Sequence, residues 1–196
     1  AKNALEFYLQ FSDAGNESYT WNDTFPKDLN AFTEEKVAMI FTYSSNIPAL
    51  TDKNSFLNFG VAAMPQPKSA PKAITYTRYF GYAVSLQSKI PDLAWQFIVA
   101  LTTDPRNEIW YSNSTKKPPA LLSLINTLIN DDADHYLDTF SRQILTARSW
   151  PQIDPDAVQE VFSSMIESVL SGRETVTSAL QNAEQKITER MQQKLF

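Results

Sequence analysis

The sequence predicts an α/β or α+β fold with a helix-rich second half. Three observations predict it. Short, continuous apolar runs, Val37–Phe41 and Phe59–Ala63, fall between helical stretches in the first half. Asp104-Pro105 and Asp154-Pro155 each join a capping aspartate to a proline at the first helical position. From Pro91 onward, apolar residues recur at helical spacing.

Leu5, Tyr8 and Leu9, with Ala4 and Phe11 nearby, predict a helix over 1–11. The polar stretch SDAGNESYTWNDTF predicts a loop, and Pro26 then opens a short helix reaching about Lys36. Val37–Phe41 has the apolar continuity of a buried strand; it runs straight into Thr42-Tyr43-Ser44-Ser45-Asn46 and an apolar turn. Phe59–Ala63 reads as a second strand. Pro65, Pro67 and Pro71 then make an extended connection, so 64–72 is the best candidate boundary. ITYTRYFGYAVSL reads as one or two strands, with Tyr82, Val84 and Leu86 alternating.

Pro91 opens a helix with Leu93, Ala94, Phe97, Ile98 and Leu101 on one stripe. Asp104-Pro105 starts the next, ending in IWYSNSTKKPPA, and ALLSLINTLIN and DHYLDTFSRQILTA predict two more. After Asp154-Pro155, Val158, Val161, Phe162, Met165, Ile166, Val169 and Leu170 form a one-sided face. Gly172 is placed to end that helix in a left-handed conformation. Thr175 caps the last, whose stripe is Val176, Ala179, Leu180, Ala183, Ile187 and Met191.

With 196 residues and 43% hydrophobic content, the chain can bury a sizeable core. A net charge of -5 argues against nucleic acid and against a polybasic membrane patch. The absence of cysteine excludes disulfides, thiolate zinc sites and cysteine nucleophiles. The single histidine, His135, follows Asp131, Asp132 and Asp134, acids that sit where helix capping wants them. No GxSxG, HExxH, P-loop or dinucleotide fingerprint occurs. No paired carboxylates are marked for glycoside hydrolysis. No catalytic residue, metal or cofactor is therefore expected. No apolar run reaches the roughly 18 residues a membrane span needs, and no signal peptide is visible. The uncapped helical start without an initiator Met reads as a chain cut open inside a longer protein.

Several aromatics stand in polar, loop-like settings: Trp21, Tyr43, Tyr76, Tyr79 and Trp150. An aromatic face flanked by hydroxyls and amides suits a sugar. The face takes the C–H side of the ring, while groups such as Ser44, Ser45, Asn46 and Arg78 bond its hydroxyls. Taken alone, each aromatic is more often a loop or core anchor than a ligand contact, and Arg78 could equally be a salt bridge. Trp95 and Trp110, inside helices, read as anchors.

The stretches AFTEEKVAMIFTYSS, NFGVAAMPQP, IPDLAWQFIVALTTDP, KKPPA and VLSGRETVTSALQNAEQKI occur in that order. Together they resemble the C-terminal half of an extracellular solute-binding protein of ABC importers, the family that includes the maltose-binding proteins. The resemblance implies an α/β, type II periplasmic-binding-protein-like fold: two lobes, a hinge and a ligand cleft between them. It implies that 1–63 belong to the C-terminal lobe, 64–113 cross the hinge into the N-terminal lobe, and 114–196 return as helices. It implies an extracytoplasmic, lipid-anchored importer component with two partners, a mono- or oligosaccharide and an ABC permease. The family often has a tryptophan where Tyr43 stands here. The implied ligand residues are Tyr43, Ser44, Ser45, Asn46, Arg78, Tyr79 and Trp150, with Trp21 a poorer candidate. Two alternatives stand beside this reading: a helical interaction module docking through the face of helix 155–171, and a carbohydrate-active enzyme.

Overall fold

A computed structural model describes residues 1–22, 24–129, 135–152 and 154–193. In chain order the elements are α1 (Lys2–Leu9), α2 (Asp28–Thr33), a 3-10 turn (Ser44–Asn46), α3 (Ile47–Lys53), α4 (Pro91–Thr103), α5 (Pro105–Thr115), α6 (Leu122–Ile129), α7 (His135–Ile144), α8 (Pro155–Leu170) and α9 (Val176–Gln193). They fall into two compact units, residues 1–26 with 150–196, and residues 27–149.

The first unit is built by α1, α8 and α9. The stripes read from the sequence meet here: Leu5 and Leu9 of α1, Val161 and Met165 of α8, and Ala179 and Ala183 of α9 are buried together. Ile166, Val169, Val176, Leu180 and Ile187 pack around them. Ala179, 1% exposed, lets α8 and α9 approach closely. The start of α8 is capped as predicted, with Asp154 Oδ1 accepting from the Ala157 N–H at 3.1 Å. Gly172 follows with φ +71°, the left-handed conformation expected of it. Glu174 then ties the turn: one carboxylate oxygen accepts from Asn182 Nδ2 at 2.7 Å, the other from the Ser168 hydroxyl at 3.1 Å. The α8 face considered for docking a partner is thus largely covered from within this unit.

In the second unit, α2 and α3 are joined by Asn54 Nδ2 donating to the Thr33 carbonyl at 3.0 Å. Helices α6 and α7 pair, and the 3-10 turn packs against α7. Leu137, in the first turn of α7, is fully buried. Ser141, one turn later, is also 0% exposed, and its hydroxyl has no hydrogen-bond partner. A buried unsatisfied hydroxyl costs about 1–3 kcal/mol. Ser141→Ala therefore leaves thermal stability unchanged or raises it by up to about 1 kcal/mol. A loss above that in a melting experiment would mean the hydroxyl is satisfied after all.

Helix α5 begins as predicted. Asp104 accepts from the Arg106 backbone N–H at 2.9 Å and from its guanidinium at 2.7 and 3.1 Å. These bonds, the side-chain ones first, hold the Asp104 carboxyl below its usual value and push Arg106 up. The cap's contribution is therefore present above the ordinary carboxylate pKa and is lost as acid protonates Asp104.

The strands read from the sequence do not form among the described residues. Val37–Phe41 pairs with no other strand, and Met39 is 86% and Phe41 72% exposed, so it is not the buried strand expected. Phe59–Ala63 and the ITYTRYFGYAVSL segment likewise have no ladder. The strand-like contact present is one parallel bridge between Tyr76 and Arg148. A strand exists only beside another strand that takes its N–H and C=O groups, and an apolar run specifies no such neighbour. The α4 stripe is in place but only partly covered: α4 packs against α5 and Ala94, Ile98 and Leu101 are half-buried, yet no residue of the helix is fully buried. Trp95 and Trp110, expected as anchors, are 49% and 71% exposed.

Candidate functional site

Polar residues 42–46 close a tight turn that leaves one aromatic ring standing out. Tyr43 is extended (φ −84°, ψ 151°), and the chain turns into the 3-10 segment immediately after it. The Asn46 N–H donates to the Tyr43 carbonyl at 3.0 Å, and Asn46 Nδ2 donates to Thr42 Oγ1 at 2.7 Å. This is the local competition for backbone groups that suits Ser, Thr and Asn to turns. Ser44 is 7% exposed and anchors the turn in the unit; Ser45 is exposed, and Tyr43 is 42% exposed.

Arg78 reaches this turn from a second segment. The bridge fixes the backbone just before it, with the Arg148 N–H donating to Thr75 O at 2.9 Å and the Thr77 N–H to Arg148 O at 3.2 Å. Gln143 of α7 adds two ties: its Oε1 accepts from the Met64 N–H at 2.8 Å, and its carbonyl accepts from the Thr75 hydroxyl at 3.2 Å. Gln66 clasps Ile74 like a strand partner, giving and accepting one bond, each 3.1 Å. The connection 64–77 is thereby folded back, and Arg78 emerges over Tyr43 with its guanidinium carbon 5.7 Å from the ring centroid. Arg78 has no carboxylate partner among the described residues. Of the two roles the sequence left open for it, an ion pair is thus not formed there.

The arrangement offers a phenol ring, a planar fork of N–H donors, and the amide and hydroxyl of Asn46 and Ser45. That set fits a polyhydroxylated ligand: a ring face for C–H groups and donors for its oxygens. Tyr79 follows Arg78 and is 62% exposed. Trp21 and Trp150 belong to the other compact unit. Trp21 meets Phe25 edge-to-face at 5.4 Å, and Trp150, 40% exposed, meets Phe162 at 6.2 Å.

Sequence reading passed over Gln143 and a lysine–aromatic cluster around Lys117. Nothing in periodicity marks Gln143, because its partners are backbone groups far away in sequence. Lys117 does lie in the KKPPA motif, so that signal was available. The described residues hold no group of three or more His, Cys, Asp or Glu that could bind a metal. His135 opens α7, while Asp131, Asp132 and Asp134 lie outside the described residues. No helix among the described residues is long and apolar enough to cross a membrane.

Residues 1–137 match the family described as bacterial extracellular solute-binding protein, a span that takes in both the Tyr43 turn and Arg78. The chain belongs to that family. Membership implies a periplasmic-binding-protein-like fold. This solute-binding chain is also 25% identical, over 154 residues, to the galactooligosaccharide-binding protein of Bacillus subtilis (strain 168). The aligned stretch covers 78% of this chain and 35% of that protein, so the chain spans about a third of its relative's length. Family and relative are binding proteins rather than enzymes.

Proposed function

We propose that this chain is part of the substrate-binding component of an ABC import system, and that it captures an oligosaccharide of the galactooligosaccharide class. The observation that carries the reading is Arg78 standing over Tyr43 at the Ser45–Asn46 turn, with no carboxylate among the described residues paired to it. Tyr43 stacks on a sugar ring, Arg78 bonds adjacent hydroxyls, and Ser45, Asn46 and Tyr79 add polar contacts. The lobes of the whole protein are of α/β type, and they close around the solute by hinge motion. The protein acts outside the cytoplasmic membrane, lipid-anchored there, and hands its solute to the permease. No step makes or breaks a covalent bond, so no cofactor is needed. The name of the Bacillus subtilis relative and the family match support the sugar and the location.

Calorimetric titration of the chain with galactotriose, maltotriose and a tripeptide tests the reading. Galactotriose is expected to bind at least about tenfold more tightly than the tripeptide, a difference of roughly 1.4 kcal/mol. Saturation by the tripeptide alone would overturn the sugar assignment.

A further inference from the structure

The segment that carries Arg78 is gripped from a second side. Phe80, two residues further on, is 83% exposed, so the unit's core does not hold it. The Lys117 ammonium stands 5.2 Å from the Phe80 ring centroid, 5.7 Å from that of Tyr111, and 3.3 Å from the Tyr111 hydroxyl. Lys117 is half-buried and its backbone is tightly placed. Helix α5 ends at Lys116 in the left-handed conformation (φ 54°), and the Lys117 carbonyl accepts from the buried Ser112 hydroxyl at 2.6 Å. Pro118 follows, and Pro119 is fully buried. The ammonium is therefore a cation on a rigid mount, drawn to the negative faces of two rings.

Phe80 lies only two residues beyond Arg78 on the same short segment, so what holds Phe80 limits where Arg78 can sit. We propose that Lys117 is a positioning residue for sugar binding: by linking Phe80 to Tyr111 at the end of α5, it sets the segment from which Arg78 reaches Tyr43. The inference rests on the reading of Tyr43 and Arg78 as the ligand site. It predicts that the site is partly ordered before ligand arrives, which lowers the cost of binding.

The test has a ligand-free arm and a binding arm. In the ligand-free chain, the Lys117 ε-CH2 carbon-13 NMR resonance is expected to be ring-current shifted, and Phe80→Leu returns it towards its ordinary position. In the binding arm, Lys117→Met, which keeps the stem and drops the charge, weakens galactotriose about three- to fivefold. Lys117→Arg restores affinity. In an Arg78→Ala background, Lys117→Met has no further effect, because the two act through one contact. An unshifted resonance, or an equal loss of affinity with and without Arg78, would overturn the positioning role. A parent chain that binds no galactotriose but shows the shifted resonance ends the reading of the site, and the positioning role with it, while leaving the lysine–aromatic contact standing.

Discussion

Tyr43→Ala weakens galactotriose binding about thirtyfold and leaves the melting temperature nearly unchanged. The magnitude follows from what the ring can do. A tyrosine face laid on a pyranose removes about 80 Å² of apolar surface from water, worth roughly 2 kcal/mol. The substitution also removes the platform that orients Arg78, whose guanidinium carbon lies 5.7 Å from the ring centroid. The fold tolerates the change because the side chain is 42% exposed and makes no capping hydrogen bond to the 3-10 turn. Tyr43→Phe keeps ring and platform, and should lose no more than about threefold. Calorimetry on the three proteins checks both values. Equal affinity in all three would show that the ring lies outside the binding surface.

Leu137→Ala has the opposite profile. Leu137 is 0% exposed in the first turn of α7, the helix that supports both the 3-10 turn and, through Gln143, the segment leading to Arg78. Truncating a buried leucine removes transfer energy and leaves a cavity, at a cost of about 2–5 kcal/mol. For a chain of this size, that is a fall of roughly 5–15 °C in melting temperature. Sugar affinity, measured well below the transition, should fall less than in Tyr43→Ala. Thermal unfolding followed by circular dichroism measures the first effect. A shift under about 2 °C would mean that this helix contributes little to the folded chain.

How far these features were legible depends on where each one's cause lies. Helix starts were legible because caps are local: Asp104 and Asp154 accept backbone N–H groups at the positions their Asp-Pro pairs indicate. So was the left-handed Gly172, and so were the one-sided stripes of α8 and α9, though not that they would pack against each other. Val37–Phe41 was misread because an apolar run looks alike whether or not a neighbour pairs with it. Helix α3 was taken for an apolar turn, although Asn46, Pro48 and the inward Ile47 and Leu50 mark its start and face. In the site, the residue types of Tyr43, Asn46 and Arg78 could be read locally. Their meeting could not, because it depends on Gln66, Gln143 and Arg148 folding the 64–77 connection back, by bonds spanning up to 79 residues. The α4 stripe was legible, but what covers it was not.

The central claim is that a sugar sits against Tyr43 under Arg78, and one measurement addresses it most directly. NMR spectra of the isotope-labelled chain, recorded during titration with galactotriose, report the Tyr43 ring and the Arg78 Nε–H separately. The account predicts that both move together along one saturation curve, with Leu5 and Leu9 in the other unit unmoved. Saturable binding that leaves the Tyr43 and Arg78 signals in place would contradict it.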